Sequence, residues 1–138
     1  MSARVHECVG ALLVCDGRVL LGRRTADREF LAGAWDVLGG HSEDGESELD
    51  TLMRELDEEA GVVPTRWRRL DTLEGAQPTP WRLHLYAVTQ WRGEPCNRQP
   101  DEHEELRWCT AQEAARHLAA AHPAFARLLG EALAAEGA

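Results

Sequence analysis

Apolar residues run unbroken from Val9 to Cys15 and resume at Val19-Leu20-Leu21, with Asp16-Gly17 between the two runs. Two apolar runs about an Asp-Gly pair predict a β-hairpin. Ala34 to Val37 reads as a short strand leading into a turn at Gly39-Gly40. Further on, Trp67 to Leu73 and Trp81 to Thr89 predict two more strands, separated by the turn-rich GAQPTP. In the second of these, Trp81, Leu83, Leu85 and Ala87 alternate with Arg82, His84 and Tyr86, which is the period of a sheet. Glu105 to Cys109 predicts a last short strand.

Between these strands the period lengthens. Leu49, Leu52, Met53, Leu56 and Ala60 fall in one stripe at about 100° per residue, the spacing of an amphipathic helix. Ser47 is a good N-cap, with Asp50 three residues on in a capping-box arrangement, and Gly61 supplies a left-handed stop. Thr110 with Glu113 opens a second helix through His117. Pro123 starts a third, with Phe125, Leu128, Leu129, Ala132 and Leu133 on one face. Strands mixed with an internal and a C-terminal helix predict an α/β fold, a mixed sheet covered on both faces.

At 138 residues the chain fits one domain, 1–138, able to bury its own core. No apolar run approaches a membrane span and the N-terminus has no signal-peptide core, so a cytoplasmic protein with no membrane partner is expected. Cys8, Cys15, Cys96 and Cys109 form no metal-ligand spacing and read as reduced thiols, the first two as small hydrophobes in strands. A net charge of −9 argues against binding polymeric nucleic acid.

The chemistry gathers on the first helix. Glu55, Glu58 and Glu59 are related by i, i+3 and i+4, so they share one helix face. Carboxylate clusters of this kind hold Mg²⁺, for which Mn²⁺ substitutes, and Mg²⁺ commonly bridges to substrate phosphates. Such a metal offsets the acidity that would otherwise repel an anionic nucleotide. Glu46 and Arg54 read as a charge-assisted pair tying the preceding loop to the helix and orienting Glu55. Gly39 and Gly40 permit close backbone approach or positive φ before the helix. Arg23 and Arg24, after the second strand, suit phosphate contacts. Trp35, Phe30 and Trp81 are candidates to stack on a base, with core packing expected of two of them; Trp67, Trp91 and Trp108 read as structural.

Gly40, five residues, Glu46, seven residues, then Arg54-Glu55-Leu56-X-Glu58-Glu59-X-Gly61-Val62 resembles the complete signature of the Nudix hydrolase superfamily, over residues 40–62. The flanks RVLLGRRTADREFLAGAWDVLGG and WRGEPCNRQPDEHEELRW are similar to those of MutT-like members. One departure is Leu38, where many members carry Pro before the glycine pair, a change expected to affect loop stiffness. The resemblance implies the Nudix fold, an α/β/α sandwich. It also implies metal ligation by Glu55, Glu58, Glu59 and Gly40, with Glu46 and Arg54 joining Glu55 and Glu58 in the catalytic apparatus. One of the glutamates should deprotonate the attacking water, and which one is left open. A further ligand from outside the box is expected in PDEHEEL, with Glu102 favoured and Glu105 second; His103 reads as a solvated loop residue.

The activity implied is cleavage of a nucleoside diphosphate linked to another moiety, first a (d)NTP giving NMP and pyrophosphate. ADP-ribose or a nucleotide sugar is the sibling reading, since Pro78 lies near where such members carry Pro. A nucleotide-sensing domain without catalysis is the third. The expected partner is a small nucleotide, and the chain is a monomer or homodimer.

Overall fold

The structure is a computed structural model that describes residues 4–27 and 32–137. The chain runs β1 (His6–Cys15), β2 (Arg18–Arg24), β3 (Trp35–Asp36), β4 (Leu38–His41), α1 (Glu48–Ala60), β5 (Val63–Gly75), β6 (Trp81–Arg92), β7 (His103–Thr110), α2 (Ala111–Leu118) and α3 (Phe125–Ala135). The strands form one mixed sheet ordered β3-β2-β1-β6-β5, with β4 also paired to β1 and β7 to β2. β1 is its hub. It runs parallel to β6, its last residues pair antiparallel with β2, and its Cys8–Ala11 portion pairs antiparallel with β4.

Both faces of β1 are covered, which explains its unbroken apolar sequence. Val9, Ala11 and Leu13 pack with Leu52, Leu56 and Ala60 of α1. Leu12 and Val14 face the other way, onto Ala114 and Leu118 of α2 and Leu128, Leu129 and Ala132 of α3. The result is the expected α/β/α sandwich. Burying a Leu or Val side chain contributes about 1.5–3 kcal/mol, so these two clusters are what the fold rests on.

The Asp16-Gly17 hairpin forms as predicted, and a carboxylate from the far end of the chain closes it. Glu136 Oε2 accepts from Asp16 N at 2.7 Å and Oε1 from Gly17 N at 2.9 Å. Ser47 and Thr110 both make reciprocal capping boxes, and Gly61 ends α1 at φ 69°.

Several expectations need correction. Gly39-Gly40 is not a turn: both residues lie in β4. Gly39 has φ 136°, and a Cβ there would sit 1.9 Å from the Val9 carbonyl oxygen, so only glycine lets β4 pass this close to β1. Leu38 is likewise no loop residue but a fully buried strand residue in the α1 cluster. On α1, Leu49 is 39% exposed, while Thr51 and Glu59 are buried with Leu52, Leu56 and Ala60. The buried face is rotated toward Glu59, whose carboxylate docks against the backbone of β4. β5 starts at Val63 and includes the polar run Thr65-Arg66-Trp67-Arg68-Arg69, because backbone pairing with β6 carries it through three register shifts. α3 begins at Phe125, after rather than at Pro123, and Cys15 is exposed at the end of β1.

Candidate active site

α1 and β4 meet along the glutamate face, and Arg54 organises one half of it. Its Nε donates to Glu46 Oε2 at 2.8 Å and its Nη2 to Glu46 Oε1 at 2.9 Å, a two-pronged pair. Nη2 also reaches the His41 carbonyl at 3.0 Å. Nη1 donates to Glu55 Oε1 at 2.9 Å and to Glu58 Oε2 at 3.3 Å. One guanidinium thereby ties the loop, the end of β4 and two box glutamates together. The Arg54 hydrogen bonds, helped by one from the Glu43 backbone, hold the Glu46 carboxyl down at about 2.

Glu59 forms the other half and lies deeper, at 3% exposure. Burial pushes its carboxyl up to about 8, and the neighbouring charges of Glu55, Glu102 and Asp36 push the same way. The Gly39 N–H opposes this by donating to Glu59 Oε2 at 2.8 Å. Glu55 is also raised, first by burial, against the pull of Arg54. Gly40 makes room for it, since a Cβ there would lie 2.6 Å from the Glu55 carboxylate. Glu58 is the most open of the three, its side chain 45% exposed against 14% for Glu55.

The loop after β6 carries the outlying residues to this face. Arg98 N donates to the Glu59 carbonyl at 3.0 Å and Cys96 N to the Ala60 carbonyl at 3.1 Å, so the loop is pinned to the C-terminal end of α1. Its far end delivers Glu102 and His103. Ligand atoms of Glu59, Glu102 and His103 all lie within 4.8 Å of one another. His103 is therefore not a solvated loop residue. It is 5% exposed, opens β7, and packs its ring over Gly22, where a Cβ would come within 2.6 Å of its Cδ2.

These groups fit a divalent cation. Crowded carboxylates, one of them buried, give up most of their mutual repulsion to a bound charge, and hard oxygen donors suit Mg²⁺ or Mn²⁺. The imidazole nitrogen adds a donor type that Mn²⁺ accepts more readily than Mg²⁺.

Glu105 and Glu104 are placed elsewhere. Glu105 pairs with Arg107 at 3.1 Å, and Glu104 is 3.9 Å from Arg23. Arg23 itself is exposed and donates through Nε to the Gly33 carbonyl at 3.2 Å. Burial raises the Asp36 carboxyl, and the charge of Arg24 lowers it by less. Trp35 lies on the α2 side of the sheet, with the Arg107 guanidinium 5.0 Å above its ring and the His117 ring 5.1 Å away. Trp81 packs against the α2–α3 core and covers Gly75, so it is structural. Trp91 and Trp108 stack on each other at 6.1 Å, also structural. Trp67 is 37% exposed on the edge strand, and Phe30 lies outside the described residues.

Two residues of this site were not assigned to it from the sequence, although a histidine beside Glu102 is itself a possible ligand type. His103 sits among acidic residues that read as a loop, and Asp36 reads as one polar position in a short strand. Both become visible only when β2, β3 and β7 are placed beside α1.

The profile of the NUDIX domain family matches residues 4–129. The chain is 33% identical over 115 residues to the CTP pyrophosphohydrolase of Escherichia coli (strain K12), covering 83% of this chain and 82% of that protein. It is 34% identical over 92 residues to the 8-oxo-dGTP diphosphatase of Proteus vulgaris, covering 66% of this chain and 81% of that one. Its structure superposes on the MutT NUDIX hydrolase from Burkholderia pseudomallei with a TM-score of 0.74 at 31% identity, over 80% of this chain and 86% of that one. With its signature complete from β4 through the following loop and α1, the chain belongs to the Nudix family, enzymes that hydrolyse acid anhydrides of nucleotide derivatives and need divalent cations to do so.

Proposed function

We propose that this protein, working as a single cytoplasmic domain, hydrolyses a nucleoside triphosphate to the monophosphate and pyrophosphate. The observation that carries the reading is the gathering of Glu59, Glu102 and His103 beside Glu55 and Glu58 on one acidic face. The two relatives named for nucleoside triphosphates, CTP and 8-oxo-dGTP, support this choice of substrate.

Glu55, Glu58, Glu59 and Glu102, with the Gly40 backbone, would hold Mg²⁺ or Mn²⁺, and His103 stands at the same cluster. The cation supplies charge neutralisation of the phosphate oxygens and acidifies bound water. Glu55 is the residue best placed to take the proton from the attacking water. Arg54 fixes one of its oxygens at 2.9 Å, leaving the other open toward the cluster, and burial raises its carboxyl above the ordinary value against the pull of Arg54. Glu46 positions Arg54. Arg23 and Arg24, at the end of β2, would supply positive charge for the phosphates, whereas Trp35, expected to stack on the base, packs on the α2 side of the sheet against Arg107 and His117.

The test is a panel of (d)NTPs, ADP-ribose and nucleotide sugars incubated with Mg²⁺ or Mn²⁺, with products separated by anion exchange. Monophosphate plus pyrophosphate from a triphosphate is the expected result. Cleavage of ADP-ribose or a nucleotide sugar in preference would replace the substrate, and binding without turnover would leave a sensing domain.

A further inference from the structure

Thr51 is fully buried within the first turns of α1, on the side facing the loop that carries Glu46. Valine has the same shape and would fill this space without a polar atom to satisfy, so the hydroxyl calls for an explanation. Its Oγ1 lies 2.9 Å from Ser42 Oγ, 3.0 Å from Glu46 Oε1 and 3.1 Å from the Ser47 carbonyl. Thr51 has one proton to give, and of these three neighbours only the Ser42 hydroxyl can donate to it. The direction that satisfies every group runs from Ser42 to Thr51 and from Thr51 to the Glu46 carboxylate, the charged and therefore preferred acceptor. Glu46 Oε1 also receives the Glu43 N–H at 2.8 Å and Arg54 Nη2 at 2.9 Å. Ser42 follows β4 directly and is anchored by its own N–H to the Glu7 carbonyl at 2.9 Å. The hydroxyl chain therefore joins the end of β4 to the carboxylate that sets the orientation of Arg54.

Resting on the hydrolase reading above, we propose that Thr51 is a positioning residue. Through the Ser42–Thr51 hydroxyl relay it holds Glu46 so that Arg54 presents its Nη1 to Glu55. Thr51 touches neither substrate nor reacting water, and its effect must pass through Glu46.

The experiment compares Thr51→Val, Thr51→Ser and Ser42→Ala in the wild-type background, and Thr51→Val in a Glu46→Gln background. Thr51→Val should lower kcat about tenfold with KM for the nucleotide unchanged, about the barrier one charge-assisted hydrogen bond represents. Thr51→Ser should restore most of the loss, and Ser42→Ala should lose about threefold, because only the outer link is cut. In the Glu46→Gln background Thr51→Val should change nothing further, since residues in one network do not act additively. An unchanged kcat in Thr51→Val, no rescue by serine, or the same loss in both backgrounds would overturn the relay. If the wild-type protein cleaves no substrate at all, the proposed reaction fails, and the relay is read instead from a carbon-13 NMR titration of the Glu46 carboxyl. Its midpoint should then move up from about 2 in Thr51→Val, and an unmoved midpoint would reject the relay independently.

Discussion

Glu59→Gln separates the cost of burying a carboxylate from its use. Glu59 is 3% exposed and its carboxyl is raised from an ordinary 4.5 to about 8, chiefly by burial. A raised acid means that the folded protein binds more protons than the unfolded chain between those two values. Stability without metal must therefore fall as pH rises from about 4.5 to about 8, and the loss is complete above that. The separation of the two values corresponds to a penalty on the order of 3–5 kcal/mol at pH 9. Glutamine keeps a carbonyl oxygen for the Gly39 N–H and has no charge to bury, and the carboxylates around it can accept from its amide. In EDTA the variant should melt with the wild type at pH 5 but on the order of 10 °C higher at pH 9. Added Mg²⁺ should raise the wild-type melting temperature at pH 9 and leave the variant unmoved, because only the wild type gains a bound charge opposite the buried carboxylate. Turnover of the variant should fall by orders of magnitude. Scanning calorimetry over pH 5–9, with and without Mg²⁺, makes the comparison. Parallel melting curves for the two proteins across that range would refute the reasoning.

Other perturbations probe the remaining parts. Glu102→Ala should raise the Mg²⁺ concentration needed for half-maximal rate about tenfold or more, whereas Glu104→Ala should leave it unchanged; a metal titration of initial rates distinguishes them. Glu136→Ala removes both hydrogen bonds that close the Asp16-Gly17 turn and should cost about 1 kcal/mol in urea unfolding while kcat stays at the wild-type value.

The readable parts of this structure were those written in local chemistry. Ser47, Asp50 and Gly61 bound α1 by capping alone, Asp16-Gly17 turns the hairpin, and the alternation from Trp81 to Thr89 marks β6. The Arg54–Glu46 pair was legible only through the complete signature, because helical spacing alone also offers Arg54 the acids Asp50, Asp57 and Glu58. What stayed hidden depends on distant partners. β4 contains Gly39-Gly40, which have no intrinsic strand preference, and it exists because β1 supplies a backbone to pair with. Glu59 looked like one of three equivalent carboxylates on an outward face, and its burial comes from the passage of β4 over α1. His103 joins the cluster only because the loop ahead of it is fastened to the last turn of α1 at Glu59 and Ala60.

The proposed reaction requires a divalent cation held between α1 and the start of β7. A crystal grown with Mn²⁺ and measured at the manganese absorption edge tests this most directly. The predicted result is an anomalous peak about 2.1–2.3 Å from carboxylate oxygens of Glu59 and Glu102, within reach of the other α1 glutamates. Peaks only elsewhere on the surface, or none at saturating Mn²⁺, would contradict it.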